Sequence, residues 1–174
     1  METSWRGIVW HQFGAAIDML ETAMLACPDD VWRDRSRQPE FWYVAYRALF
    51  FLDLYLSGSE DGFAPPPPFT LAELDPAGRA PERTFTKLEL HSYLQHGREK
   101  CHRTVQDLTD DRAADVCRFS WGEVRFAELL LFNMRHVQHH AAQLNLILRQ
   151  TTDAAPGWVG QAETLNRLAV ATPG

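Results

Sequence analysis

The chain has few cysteines, and they follow none of the patterns by which cysteines usually bind metals or form redox pairs. Cys27, Cys101 and Cys117 are the only three in 174 residues, and no two of them stand in a CxxC spacing. An odd number of unpatterned cysteines predicts no disulfide framework. We therefore expect a reduced, cytoplasmic setting.

An excess of basic charge and long hydrophobic runs are also lacking. Lys and Arg number 17 against 23 Asp and Glu, which gives a net charge of −6. This balance argues against a general nucleic-acid binder, because phosphate contacts need clustered lysine and arginine. No apolar run approaches the roughly 20 residues that cross a bilayer, so we expect no membrane partner. The length and an apolar content of 45% predict one globular domain over residues 1–174.

Hydrophobic periodicity predicts four long helices and hence an all-α fold. The first runs from about Ser4 to Cys27 and the second from about Pro39 to Leu56. The third begins at the capping box Thr86-Lys-Leu-Glu89, with Phe85 and Leu90 placed as a hydrophobic staple. Ser120-Trp-Gly-Glu123 has the same capping-box pattern and predicts a fourth helix from Trp121 to about Gln150. These elements predict a four-helix bundle at about 4–150 and a tail at 151–174.

The connection between the second and third helices, roughly Gly58 to Phe85, is long and contains the run Pro65–Pro68. A proline run resists helix and favours extended geometry, so we expect an ordered crossover here. A connection of this length allows the two helices that flank it to run parallel. In the tail, Trp158 and Val159 are predicted to anchor on the bundle, and 162–168 has the pattern of a short helix.

Three of the seven histidines lie in the predicted fourth helix. A helical wheel places His136 and His140 on the inward face with Asn133, and His139 about 100° away on the flank. Two imidazoles four residues apart can bind one metal ion. They are alternatively core histidines satisfied by hydrogen bonds. Either interpretation requires partners, because an unsatisfied buried polar group costs roughly 1–3 kcal/mol.

Arg47 is one of only two charged residues in the body of the second helix. Helical spacing surrounds it with apolar and aromatic side chains, among them Tyr43, Phe51 and Leu54. The simplest interpretation is that its guanidinium reaches water or pairs with a carboxylate.

Three segments resemble a known family: Phe13-Gly-Ala-Ala-Ile-Asp-Met-Leu20, Phe41-Trp-Tyr-Val-Ala-Tyr46, and the histidine-bearing stretch from Glu128 to Asn145. They are similar to the DinB/YfiT-like family of bacterial four-helix bundles, a group regarded as metal-dependent hydrolases. The resemblance extends from about Trp10 to Trp158. It implies an up-down-down-up order of the four helices with a long crossover between the second and third, and commonly a homodimer.

The resemblance also implies a nickel or zinc ion held by three histidines, one from the second helix and two from the fourth. His136 and His140 match the fourth-helix pair, but the second-helix position corresponds to Arg47. A guanidinium is always charged and has no lone pair to offer, so it cannot coordinate a cation.

Two arrangements of this site remain open. In the first, which we favour, Arg47 replaces the metal and projects toward the histidines. The pocket, with Tyr43 and Asn133 beside it, then binds an anion or is closed by an internal carboxylate. In the second, Arg47 turns away and a metal stays on His136 and His140 with waters or a nearby oxygen ligand.

Two functions follow from the resemblance. One is a metal-dependent hydrolase or thiol transferase with a degenerate site. The other is a non-catalytic dimeric bundle that binds a small anionic or thiol ligand without metal. No catalytic base or nucleophile is identifiable from the sequence, because nothing near Cys117 marks it as activated.

Overall fold

The computed structural model describes residues 5–77, 81 and 83–162, and within them the chain is mostly helical. The elements, in chain order, are α1 Trp5–Ala26, α2 Asp29–Trp32, α3 Phe41–Ser57, a 3₁₀ turn Leu71–Leu74, α4 Lys87–Gln106, α5 Asp110–Ala114, β1 Val116–Phe119, β2 Gly122–Arg125 and α6 Phe126–Thr152. No helix in this described part is both long and apolar enough to cross a membrane.

The four long helices α1, α3, α4 and α6 enclose the hydrophobic core. α6 packs between α1 and α3, and α4 packs between the same two helices on the other side. Each long helix therefore touches two neighbours. The largest fully buried side chains include Phe13 of α1, Phe50 of α3 and Phe126 of α6. Burying such aromatic rings is the main favourable contribution to a core of this kind.

Buried polar contacts hold α4 against its two neighbours. Asp53 of α3 is 1% exposed, and it accepts hydrogen bonds from the Tyr93 hydroxyl at 3.1 Å and from Lys100 Nζ at 2.5 Å. On the other side, Arg98 donates to Asp18 and to Glu21 of α1. Because both buried charges have partners, these contacts fix the positions of the helices without leaving an unpaired ion in the core.

The predicted start of the third bundle helix is confirmed in detail. Thr86 Oγ1 accepts from the Glu89 backbone N–H, and the Glu89 carboxylate accepts from the Thr86 backbone N–H at 2.8 Å. Phe85 and Leu90, the predicted staple, are both buried. The second helix of the prediction begins slightly later than expected, since α3 starts at Phe41 and Pro39 precedes it.

The predicted capping box at Ser120 and the helix start at Trp121 are wrong. Residues 116–119 and 122–125 instead form a two-stranded antiparallel hairpin whose loop is Ser120 and Trp121. Gly122, with φ 145°, follows the loop, and the Ser120 backbone N–H and hydroxyl are bonded to the Glu60 carboxylate. The last helix begins at Phe126, whose backbone N–H donates to the Asp115 carbonyl. The fold is therefore mostly, but not entirely, helical.

The crossover between α3 and α4 is packed against the bundle, as the sequence predicted. Gly58, with φ 79°, ends α3 in the left-handed conformation that glycine adopts most readily. Further along, the Phe69 ring stacks on Tyr93 of α4 with a centroid distance of 4.3 Å. The Trp32 indole N–H donates to the Phe85 carbonyl at 3.0 Å. These contacts leave the short turn Leu71–Leu74 lying over the start of α3.

The tail is attached to α1. The Ala162 backbone N–H donates to the His11 carbonyl at 2.9 Å, and the Gln12 side chain donates to the Gly160 carbonyl at 3.2 Å. The Val159 backbone N–H contacts the Met19 sulfur, so the predicted anchoring at Val159 is confirmed. Trp158 remains 75% exposed. The short helix predicted at 162–168 lies, apart from its first residue, outside the described residues.

Candidate ligand site

Two facing rows of side chains meet along the line where α3 and α6 pack together. On α3 the row is Tyr43, Arg47, Phe51 and Tyr55, four residues apart, and on α6 it is Phe132, His136 and His140. The Phe51 ring lies 5.6 Å from the His136 ring, and the Tyr55 ring lies 5.3 Å from the Phe132 ring, centroid to centroid. We call these seven residues the α3–α6 groove. Their spacing keeps every member on one side of its helix.

The structure brings the two predicted histidines together at the edge of the inward face. The ring centroids of His136 and His140 are 4.5 Å apart, and both side chains are half-buried. Between them on the same helix, Val137 is fully buried, whereas His139 is exposed, as the wheel predicted. The pair is therefore less deeply buried than the sequence suggested, but it does lie in the groove.

Both histidines are neutral at pH 7. Burial lowers the pKa of His136 to about 3, and the nearby His140 imidazole lowers it too; a hydrogen bond with the Arg47 backbone acts against them, and the Arg47 charge adds to the lowering. Burial likewise lowers the pKa of His140 to about 4, and the Arg47 charge contributes to that shift as well. An imidazole with so low a pKa presents one N–H donor and one lone pair rather than two donors.

Gln143 selects the tautomer of His140. The Gln143 Oε1 atom lies 2.7 Å from His140 Nδ1, so Nδ1 carries the hydrogen and donates it. In the neutral ring the lone pair is then on Nε2. His136 differs, because its Nε2 atom is buried without a hydrogen-bond partner among the described residues. A buried atom of this kind is short of one partner, which a bound molecule can supply.

Arg47 forms an ion pair with a carboxylate that the sequence alone did not identify. Its Nη1 atom lies 3.4 Å from Glu73 Oε2, and its guanidinium lies over the Phe51 ring at 5.2 Å from the centroid. The Glu73 side chain is 1% exposed, whereas that of Arg47 is 43% exposed. The crossover thus delivers a buried carboxylate to Arg47, where the sequence resemblance had predicted a metal ligand of α3.

Glu73 is incompletely satisfied in this position. Its Oε2 atom is also 3.5 Å from the Tyr43 hydroxyl, a long contact, and its Oε1 atom is buried with no partner among the described residues. Burial raises the pKa of the Glu73 carboxyl, and the Arg47 charge opposes that rise. Desolvation favours the neutral acid, whereas the guanidinium favours the anion. The ionised form of Glu73 is therefore stabilised in the folded chain by Arg47.

Asn133, the third predicted polar residue of this face, joins the two helices. It is fully buried, and its side-chain amide donates to the Leu52 backbone carbonyl at 3.0 Å. Its Oδ1 atom has no hydrogen-bond partner in the described part of the chain. This contact fixes α6 against α3 one turn before His136. Asn133 therefore positions the groove, whereas Tyr43, at its other end, contacts Glu73.

These residues do not fit a metal centre with three protein ligands. His136 and His140 offer two neutral imidazoles, and the orphaned His136 nitrogen is compatible with a cation. The third position carries the Arg47 charge, which repels a cation and already pairs with Glu73. Across the described residues, no group of three His, Cys, Asp or Glu side chains could hold a metal ion. Cys117 does not supply a third ligand, because it is buried and burial raises the pKa of its thiol.

A surface cavity of about 620 Å³ adjoins the groove. His136 and Phe132 line it from the groove side, and Gln12, Ala15 and Trp158 are among the residues that line it elsewhere. Arg47, Glu73 and His140 are not among its lining residues. The cavity therefore offers an approach to His136, while the charged part of the groove lies outside it.

Comparison with known protein families identifies the family of this chain. The model of the DinB superfamily matches residues 12–144, which include most of α1, all of α3 and α4, and most of α6. The chain belongs to the DinB superfamily. The crystal structure of a DinB-like protein from Bacillus subtilis is similar in fold, with a TM-score of 0.56 over 90% of this chain and 99% of that one. Sequence identity between this DinB-superfamily chain and that protein is 16%. No functionally curated protein matches the chain.

Two residues of the site escaped the sequence analysis. Glu73 lies between Ala72 and Leu74 in the crossover, and an acidic residue flanked by apolar ones is a recognisable but weak signal of a buried carboxylate. Gln143 stands three residues after His140, which is a spacing that allows side chains on a helix to meet. Searching at helical spacing for partners of each candidate histidine would have found it.

Proposed function

We propose that this chain binds a small anionic or thiol ligand in the α3–α6 groove without the three-histidine metal centre of its family. The observation that supports the proposal most directly is how few of the Arg47 donors are engaged and how exposed its side chain is. A guanidinium has five N–H donors. Among the described residues that of Arg47 makes an ion pair with Glu73, at 3.4 Å, and a hydrogen bond with the Tyr43 hydroxyl, and its side chain is 43% exposed. The remaining donors favour a carboxylate or another planar anion, which arginine binds in a bidentate manner.

The neutral histidines support an uncharged part of the same ligand. With Nδ1 of His140 bonded to Gln143, its Nε2 lone pair accepts a hydrogen bond from an O–H, N–H or S–H group. In the part of the chain that the structure describes, His136 Nε2 has no hydrogen-bond partner. A ligand with an anionic group for Arg47 and a hydrogen-bonding group for the imidazoles would complete both sets of contacts. A low-molecular-weight thiol that carries a carboxylate has this chemistry.

The second candidate is a metal-dependent hydrolase or thiol transferase that works with a degenerate site. The observation in its favour is the pair of neutral imidazoles, 4.5 Å apart between centroids, at the spacing that can bind one ion of nickel or zinc. Two protein ligands seldom hold such an ion tightly. This candidate therefore needs an oxygen ligand from the substrate or from water.

Metal analysis separates the two candidates. We would purify the protein without a histidine tag, add nickel or zinc, remove the excess and measure the bound metal. The first candidate predicts no stoichiometric metal in the parent protein and a gain of nickel in Arg47→His. Stoichiometric metal that disappears in His140→Ala but persists in His139→Ala would contradict the first candidate and support the second.

Ligand binding is tested directly by calorimetric titration with mono- and dicarboxylates and with thiol-bearing carboxylates. We expect Arg47→Met to weaken binding of every carboxylate by about tenfold or more, because a charge-assisted hydrogen bond contributes about 1.5–3 kcal/mol. Arg149→Met, which removes an exposed arginine near the end of α6, serves as the matched control. Equal affinities in the two variants would show that Arg47 is not the anion-binding group.

We also propose the up-down-down-up order of the four long helices, in a single domain. It is supported by the directions of the contacts: Trp10 meets His102 while Asp18 meets Arg98, so α1 and α4 run in opposite directions. Tyr93 contacts Asp53, and Lys100, further along α4, contacts Ser57, further along α3, which supports parallel α3 and α4. A homodimer remains part of this proposal, and sedimentation analysis tests it.

A further inference from the structure

The α3–α6 groove ends in a cluster of aromatic rings that the ligand chemistry above does not use. At this end Phe132 of α6 lies 5.3 Å from the Tyr55 ring. The Trp121 ring stacks on Phe132 at 5.2 Å with an interplanar angle of 21°. On its other side Trp121 is parallel to Phe119, at 5.4 Å and 1°. Three rings from the hairpin and from α6 are thus layered beside the histidine pair.

The four rings at this end of the groove differ in the fraction of each that is exposed to solvent, and only exposed rings can contact a ligand. Phe119 and Tyr55 are 9% and 6% exposed, so the hairpin is already well packed against α3. Trp121 is 48% exposed and Phe132 is 37% exposed. Stacking on Phe119 and Phe132 and a hydrogen bond with Tyr55 fix the position of Trp121, yet its ring and that of Phe132 remain at the surface. Exposed aromatic groups of this size, next to polar groups that lack partners, are typical of a binding surface.

The polarity of the groove changes along its length. Arg47 and Glu73 stand at one end, the two neutral histidines lie in the middle, and the uncharged rings of Phe132 and Trp121 form the other end. Arg47 and Tyr55 are eight residues apart on α3, which is about 12 Å along a helix. A molecule that reaches from one end to the other therefore has an anionic group and a flat apolar group separated by roughly that distance.

We propose that Trp121 and Phe132 form a second subsite, which binds the aromatic ring of a ligand whose carboxylate is bound by Arg47. The proposal rests on the proposed function and adds the ligand class: an elongated aryl carboxylate. Both faces of Trp121 are covered, by Phe119 and Phe132, so a ligand ring placed against the exposed edges of Trp121 and Phe132 gains edge-to-face contact and loses contact with water. The charge at the Arg47 end orients the ligand, since Arg47 offers the carboxylate a cation beside the histidine pair.

Affinity measured against ligand length tests the proposal. We would titrate the protein with ω-phenylalkanoic acids of increasing chain length and with alkanoic acids of matched length that lack the ring. Beyond the length that spans the groove, we expect the phenyl acids to bind more tightly than their alkyl partners by roughly two- to tenfold, the usual effect of an aromatic pair. Trp121→Ala should abolish this gain, whereas Trp121→Phe should retain most of it.

The controls separate this subsite from the anion site. Trp5→Ala removes another exposed tryptophan, 59% exposed on α1, and should leave the gain unchanged. Circular dichroism of Trp121→Ala and Phe132→Ala verifies that the fold is intact. If short acids bind through Arg47 but the phenyl ring adds nothing, or adds the same amount in Trp121→Ala, the subsite is refuted while the anion site stands.

Two further outcomes would also overturn the proposal. If no carboxylate binds in an Arg47-dependent manner, the anion site and the subsite both fail. If Trp121→Ala converts a dimer into a monomer in sedimentation analysis, the exposed rings are covered by a second copy of the chain. In that case they form a subunit interface and not a ligand subsite.

Discussion

The substitution Arg47→Met is the most informative single change in this protein. It removes the cation beside Glu73, whose side chain is 1% exposed, and leaves a buried carboxylate whose one remaining partner among the described residues is the Tyr43 hydroxyl, at 3.5 Å. Because methionine retains the apolar stem of arginine, the packing over Phe51 is largely preserved. We therefore expect a loss of stability that reports on charge rather than on volume.

The size of the loss follows from the unequal burial of the pair. Removing one partner of a fully buried ion pair costs about 3–5 kcal/mol, and exposed pairs contribute about 0–1 kcal/mol. Here one partner is buried, the other is 43% exposed, and the contact is 3.4 Å. We expect Arg47→Met to lower the free energy of unfolding by about 1–3 kcal/mol at pH 7, which lies between these limits.

A thermodynamic cycle isolates the pair. Urea unfolding of Arg47→Met, Glu73→Gln and the double variant should give a coupling energy of about 1 kcal/mol or more, with the double variant more stable than Arg47→Met. Arg33→Met is the matched control, because Arg33 and Asp29 form a pair at 3.9 Å in which both side chains are about 70% exposed or more. Its loss should remain below about 0.5 kcal/mol.

The pH dependence provides an independent check with a definite sign. Burial raises the pKa of Glu73 above its usual 4.5, and removal of Arg47 removes the charge that opposes this rise. A carboxyl group whose pKa is higher in the folded state is stabilised there by protonation. The deficit of Arg47→Met should therefore shrink as the pH falls from 7 toward 4.5. A deficit that is constant or grows over this range, or a coupling energy near zero, would refute the interpretation of Glu73 as the counterion.

The sequence was sufficient for the parts of the fold that depend on local patterns. The capping box at Thr86 was read correctly, because its reciprocal hydrogen bonds involve residues three apart. The same pattern at Ser120 failed because a contact distant in sequence replaced the local one: Ser120 bonds to the Glu60 carboxylate. In β1, Cys117 and Phe119 are buried whereas Val116 and Arg118 are exposed. This alternation is typical of a strand and conflicts with the helix start that the capping pattern predicts.

Part of the site could be located from the sequence, and part could not. His136 and His140 were placed by helical periodicity, and the family resemblance assigned Arg47 the position of the missing ligand. Neither argument could supply Glu73, because it comes from a crossover without regular periodicity, 26 residues after Arg47. The burial of Glu73 is set by how the crossover packs over α3. The charge of Arg47 in a mostly apolar helix thus indicated that a counterion was needed, but the sequence did not identify Glu73 as that counterion.

The remaining predictions concern the third bundle helix and the histidine pair. Thr86→Ala should lower the free energy of unfolding by about 0.5–2 kcal/mol in urea titrations, because it removes the capping oxygen that accepts from Glu89. Thr109→Ala, at the cap of the short and largely exposed helix α5, is its control and should cost less. The histidines should make the protein less stable in mild acid. Their pKa values fall from 6.5 to about 3 in His136 and about 4 in His140, so the unfolded chain binds protons more strongly than the folded one. Stability from this source is complete above pH 7 and is lost as the pH falls below 6.5, by about 1–2 kcal/mol per histidine at pH 5. The double variant His136→Gln/His140→Gln should lose this acid sensitivity, and His139→Gln should keep it. If the double variant is as acid-sensitive as the parent protein, the two imidazoles are not held neutral, and the lone pair assigned to His140 Nε2 loses its support.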